Sequence, residues 1–336
     1  MTEGLPETVL VAQQKGGNGK SSVVAAMAVA IARKNRKVLA IDADQQGNLT
    51  IDDLGVPADK WDKGKNLAVA LQYGPGDGFA LEPYRGIRPN LDILMGGPAL
   101  GMVSTAIASA NEPVDMAANL VSALKELCAR EQYDIILVDS GHGDKVLLIA
   151  LLEACRYLVV PTKEDGASLN GVHQLAASYV RAKRYGSLIS LIGVVLFDVN
   201  PQASVRLPHV FNKVKELLGS EVEPFQATIR SSQAVAVDMR ERHLTAQELA
   251  KPTEEQRAGL LTAIRNRGKK NATDRLWAKD PGSVAKDYLD LTREVLARLA
   301  AERGAAAAAV EADATEVQVQ GLNSAVSAAP VSVAGE

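Results

Sequence analysis

Short, uninterrupted apolar runs alternate with longer helical stretches along most of this chain. "TVLVAQ" (8–13), "KVLAID" (37–42), "LDILMG" (91–96), "DIILVD" (134–139), "YLVVPT" (157–162) and "LIGVVLFD" (191–198) lack the polar alternation of a half-exposed strand. Runs of that kind read as strands covered on both faces. Between the first two lies "SSVVAAMAVAIARKNR" (21–36), a helix with an almost wholly apolar body. Strands alternating with helices predict an α/β fold: a doubly wound, mostly parallel sheet with helices on both faces and right-handed crossovers. No internal repeat interrupts the pattern.

The pattern fades towards the C-terminus. Residues 251–286 carry nine Lys/Arg against four acids, a basic, insertion-like segment. Beyond Arg303 there is no Lys or Arg, and the Ala-, Ser- and Val-rich stretch 304–336 has few large apolar residues. Such composition predicts a disordered tail behind a single domain spanning residues 1–303.

Composition adds exclusions. At 47% hydrophobic the chain can fill a core, and a net charge of −3 makes it no polycation, so any nucleic-acid contact must come from a local patch. Two cysteines, Cys128 and Cys155, are too few for a disulfide framework and read as reduced thiols. The acidic start "MTEGLPET" is unlike an export signal, and the longest apolar run, "VVAAMAVAIA" (23–32), falls short of the roughly 18–20 residues of a membrane span. A cytoplasmic protein without a membrane partner is expected.

The chemistry concentrates in "QQKGGNGKSS" (13–22), which joins the first strand to the first helix. This is the context of a phosphate-binding loop. Gly16, Gly17 and Gly19 let backbone N–H groups turn inward, Asn18 and Ser22 complete the cradle, and the helix start adds its positive dipole end. Lys20 is placed to bridge β- and γ-phosphates, and Ser21 to ligate Mg²⁺. Position 14, normally glycine in such loops, is Gln14, and a second lysine follows as Lys15. Asp139 ends an apolar strand where a magnesium nucleotide needs a carboxylate. Asp42 and Asp44, two residues apart on one strand face, are expected to approach the γ-phosphate side together and position a water. His142 in the loop after Asp139 reads as incidental.

Together, K-G-G-x-G-K-[ST], the strand ending "DADQQGN" and the strand ending in Asp139 resemble the deviant Walker A ATPases of the ParA/MinD group, ParA partition proteins above all. The likeness continues through "NLDILMGGPAL" (90–100), "LVVPTKEDGASLNGV" (158–172), "VVLFDVNPQASVRL" (194–207), "ATIRSSQAV" (227–235) and "VAKDYLDLTREVLARL" (284–299). It implies ATP and Mg²⁺ as cofactors and an ATP-dependent homodimer in which Lys15 reaches the partner's phosphates, with Asp44 serving hydrolysis and Asp42 its neighbour nearer the metal. It also implies non-specific DNA binding by the ATP dimer, nucleoid association, and a ParB-like centromere-binding partner. Arg230 matches the family's DNA-facing turn without its proline, and Arg265, Arg267, Lys269 and Lys270 form a second candidate DNA patch. Gln45 stands where the family has proline, and Ser140-Gly141-His142-Gly143 replaces a proline-containing turn. A MinD-like division regulator would end in a basic amphipathic helix, which this tail does not supply. A nitrogenase iron protein-like reductase would need cysteines at the dimer face. The alternatives left are a ParA-like ATPase positioning a protein cargo on the nucleoid and a small-molecule P-loop synthetase.

Overall fold

The computed structural model describes residues 4–76, 78–109, 113–202, 206–218, 223–250 and 276–327, with side chains of the last helix to residue 305. Its strands are β1 (Glu7–Val11), β2 (Val38–Ala43), β3 (Tyr84–Arg88), β4 (Leu91–Leu94), β5 (Ile135–Ser140), β6 (Tyr157–Thr162), β7 (Ser190–Val199) and β8 (Thr228–Arg230). They form one eight-stranded sheet in the order β3-β4-β2-β5-β1-β6-β7-β8. Every neighbouring pair is parallel except β3 with β4, so the predicted doubly wound α/β class holds.

β2, β5 and β6 are buried along their whole length, which is why each reads as an unbroken apolar run. The helices are α1 (Lys20–Ala32), α2 (Lys65–Tyr73), α3 (Val103–Ala108), α4 (Met116–Glu131), α5 (Lys145–Ala154), α6 (Gly166–Arg184), α7 (Leu207–Leu218) and α8 (Gln233–Arg242). On one face of the sheet, Leu67 of α2, Leu124 of α4, Leu151 of α5 and Leu175 of α6 share a core with Leu10 and Ile41 of the strands. α1 packs on β2 and β5, and eleven of its thirteen residues are buried, so it has almost no polar side. It is shorter than the sequence suggests, because Asn35 turns into the left-handed region at φ 57 just beyond it.

β1 lies between β5 and β6, the point where the strand order reverses direction. In open parallel sheets the crevice beyond the carboxyl ends of the strands at such a point is the usual ligand site. The loops after β1, β2 and β5 meet there.

By its internal contacts the chain divides into residues 1–292 and 293–336. The final helix, Pro281–Ser327, continues helical backbone into the stretch whose composition predicts disorder. Alanine is the strongest helix former, so an alanine-rich composition with few large apolar residues is compatible with helical backbone. The cations Arg265, Arg267, Lys269 and Lys270 lie outside the described residues.

Candidate functional site

The β1–α1 connection wraps a cavity of about 210 Å³. Gly17 and Gly19 hold φ values of 77 and 76 there, which a side chain rarely tolerates. A Cβ on Gly19 would also run into the Phe197 ring. Lys20 is 7% exposed at the start of α1, and Gly16, Asn18, Ser21 and Ser22 complete the cavity's loop side. The loop is braced from α6: Ser168 Oγ lies 3.1 Å from Asn18 Oδ1 and 2.7 Å from Asp165 Oδ2. Gln13 spans the same seam, its amide 3.4 Å from the Pro161 and Ser168 carbonyls.

Lys15 stands apart from the cavity. Its Nζ is 3.0 Å from Asp165 Oδ1 and 3.4 Å from Ser168 Oγ, with 41% of the side chain exposed. The Ser168 hydroxyl and then the Lys15 ammonium hold the Asp165 carboxyl well below the usual range. The two loop lysines are thus separated: Lys20 sits buried in the cavity and Lys15 is held outside it.

Opposite the loop stand the carboxylates. Asp139 and Asp42 are register partners on β5 and β2. Asp139 is fully buried, and neither carboxylate oxygen has a hydrogen-bond partner among the described residues. Burial, then repulsion from Asp42, raises its pKa well above normal, with Lys20 and then the nearby Ser21 hydroxyl opposing. A buried, unpartnered acid beside Lys20 and Ser21 is a fit for a hydrated divalent cation, which would supply the missing partners.

Asp42 and Asp44 do not approach the cavity together as their spacing predicts. Asp42 is consumed by its own loop: Oδ2 accepts from the Thr50 amide (2.8 Å) and hydroxyl (2.7 Å), and Oδ1 from the Asp44 amide (3.2 Å). Burial nonetheless pushes its pKa up to about 7. Thr50 Oγ1 in turn accepts from the Gly96 amide at 2.9 Å, tying this loop to the end of β4. Asp44, one step past the end of β2, turns the other way and lines the cavity. Its Oδ1 accepts from the Gln46 amide at 3.0 Å, and its Oδ2 lies 3.8 Å from His142 Nδ1. His142 also lines the cavity. This histidine, set aside as incidental in the sequence, is brought to the site where the Gly141 amide, bonded to the Ala43 carbonyl at 3.1 Å, turns its loop inward.

Asn48, Asp52, Asp53 and Arg240 line the cavity without having been foreseen, and two of them carry the chemistry. Asp53, in a π-helical turn spanning Leu49–Asp53, accepts from the Ser22 hydroxyl at 3.2 Å and is pushed by burial up to about 7. Arg240 of α8 also lines the cavity. No local motif marks either residue, since both reach the loop through tertiary packing.

Arg230, expected to face DNA, is engaged within the protein. Its guanidinium grips Asp287 at 2.6 and 2.8 Å, and its own amide bonds the same carboxylate at 3.0 Å. Cys128 and Cys155 are free and buried, as expected of reduced thiols.

The AAA-domain family profile matches residues 6–187. The chromosome-partitioning ATPase Soj of Thermus thermophilus is 31% identical over 170 residues, covering 51% of this chain and 60% of Soj. The chromosome partitioning protein ParA of Caulobacter vibrioides is 28% identical over 192 residues, covering 55% of this chain and 67% of ParA. The match thus leaves about two fifths of Soj unspanned. Among solved structures, a Cyanothece McdA–ATP complex superposes with a TM-score of 0.61 at 20% identity, covering 80% of this chain and 99% of McdA. At that identity the likeness is one of fold.

Proposed function

This chain is a ParA-type member of the AAA-domain P-loop ATPases, and from that premise we propose that it is an ATP-driven dimerising switch for plasmid or chromosome partition. In this reading the ATP-bound dimer holds DNA without sequence preference. A ParB-like centromere-binding partner ends that state by stimulating hydrolysis to ADP and phosphate.

The second lysine is the observation that carries the reading. A buried triphosphate carries more negative charge than Lys20 and one Mg²⁺ neutralise, and Lys15 is a second loop cation, held outside the cavity by Asp165. Its ion pair with Asp165 is half-exposed, and pairs of that kind contribute about 0.2–1 kcal/mol. A desolvated phosphate across a closed interface is a much stronger partner, so a γ-phosphate can draw Lys15 away and make association depend on ATP.

The remaining roles follow from position. The loop amides and Lys20 bind phosphate oxygens, and Ser21 with Asp139 would hold Mg²⁺, which neutralises charge shared between the β- and γ-phosphates. Asp44, free of the bonds that occupy Asp42, orients the attacking water and accepts its proton.

Sedimentation velocity with ATP–Mg²⁺ and with ADP–Mg²⁺ tests the switch. Wild type should dimerise with ATP alone, while Lys15→Ala should bind nucleotide and stay monomeric. A Lys15→Ala dimer as tight as wild type would sink it.

A further inference from the structure

A second cavity, also about 210 Å³, lies beside the phosphate cavity and runs past Phe197 and Ile229 to Tyr288. The two share five lining residues: Gly17, Gly19, Ser22, Asp53 and Arg240. A nucleotide with its phosphates against Lys20 and its base in the second cavity must cross this shared wall. In a nucleotide so placed, the groups joining the outer phosphates to the base, the α-phosphate and the sugar, would lie along it.

The wall is nearly devoid of positive charge. Its two glycines offer only backbone, the Ser22 hydroxyl is already given to Asp53, and Asp53 itself repels phosphate when ionised. Arg240 is the one cation among the five. Its side chain is exposed and makes no hydrogen bond or ion pair among the described residues, yet it is close enough to Asp53 to lower that carboxyl's pKa against the effect of burial.

The backbone that carries Arg240 is fixed on both sides. Within α8, the buried Asp238 accepts from the Trp277 and Ala278 amides at 3.1 and 2.6 Å. Just past the helix, Arg88 of β3 donates to the His243 carbonyl and to Glu248 Oε1, both at 2.7 Å. His243 Nδ1 lies 3.0 Å from the Asp52 carbonyl, joining this turn to the loop that holds Asp53. A rigid mount with an uncommitted guanidinium is how a preorganised anion contact is built.

We propose that Arg240 is a nucleotide-contact residue, gripping the α-phosphate and sugar end of the bound nucleotide in cis, with Asp53 as its counter-charge when the site is empty. The assignment rests on the nucleotide reading of the loop and adds to it a side chain from the far end of the domain. Because both ATP and ADP carry the α-phosphate, the contact should not discriminate between them.

Calorimetric titration of wild type, Arg240→Ala and Arg240→Lys with ATP–Mg²⁺ and ADP–Mg²⁺ tests it, alongside thermal melts without nucleotide. Arg240→Ala should weaken both nucleotides about tenfold and Arg240→Lys should recover part of the loss, with the nucleotide-free melting temperature unchanged. Unchanged affinities overturn the assignment. So does a loss confined to ATP, which would move the contact to the γ-phosphate, or a matching fall in nucleotide-free stability, which would make Arg240 structural. If wild type binds neither nucleotide, it is the reading of the loop itself that fails.

Discussion

Asp53 shows at the scale of one residue how the site stores unfavourable charge. Burial raises its pKa from 3.8 to about 7, so the folded protein holds a proton that the unfolded chain has already released. The stability this proton brings is complete below pH about 4 and is lost as pH rises through about 7. Asp53→Asn should therefore gain on wild type across that window, by up to about 4 kcal/mol at one pKa unit per 1.36 kcal/mol. Urea midpoints at pH 5 and pH 8 check it, and a wild-type-to-variant difference that ignores pH would contradict it. Asp53 also marks the limit of reading residues from sequence. Lys20, Ser21 and Asp139 are legible because loop, helix start and strand end are local patterns. Asp53 meets Ser22 from 31 positions away and Asp165 meets Lys15 from 150, so only the fold joins them. A faint signal for Asp165 did exist: Asp-x-x-Ser ahead of a helix is a capping pattern, and Asp165 does cap α6 through the Ser168 amide at 3.0 Å.

At the scale of elements, legibility follows burial. The six inner apolar runs match strands to within a few residues. β3 and β8 went unseen because they lie at the sheet's two edges, β3 half-exposed and β8 only three residues long. Neither needs a continuous apolar run. α8 depends on polar anchors more than on an apolar stripe, and Asp238 is the buried one. Asp238→Ala would leave the Trp277 and Ala278 amides without their acceptor, at a cost of about 1–3 kcal/mol. The expected result is a lower melting temperature together with weaker nucleotide binding, because α8 also carries Arg240. Retained stability would show that the helix is held by other means.

At the scale of the molecule, the DNA reading concerns surfaces rather than single contacts. A dimer doubles every basic patch and turns weak phosphate binding into bivalent binding. Duplex binding should require ATP, ignore sequence and weaken with salt, with a log–log slope of roughly −0.9 per phosphate neutralised. Titrations with ATP, with ADP and without nucleotide check it, and equal affinity in all three would end the partition reading. Arg230 is already paired with Asp287, so Arg230→Ala tests packing as well as DNA contact. No helix among the described residues is long and apolar enough to cross a membrane.

If Lys15 leaves Asp165 for a partner's phosphate as the dimerising-switch reading has it, the Lys15–Asp165 pair also bears on timing. Asp165 keeps two other ties when the lysine leaves, the Ser168 amide at 3.0 Å and the Ser168 hydroxyl at 2.7 Å. Departure is then a rotamer change of one half-exposed side chain, an event of picoseconds to nanoseconds that leaves α6 intact. The lysine's release cannot be the slow step of association. In that reading the association rate should track how often two nucleotide-loaded copies meet in the right orientation, and should rise with the square of their concentration.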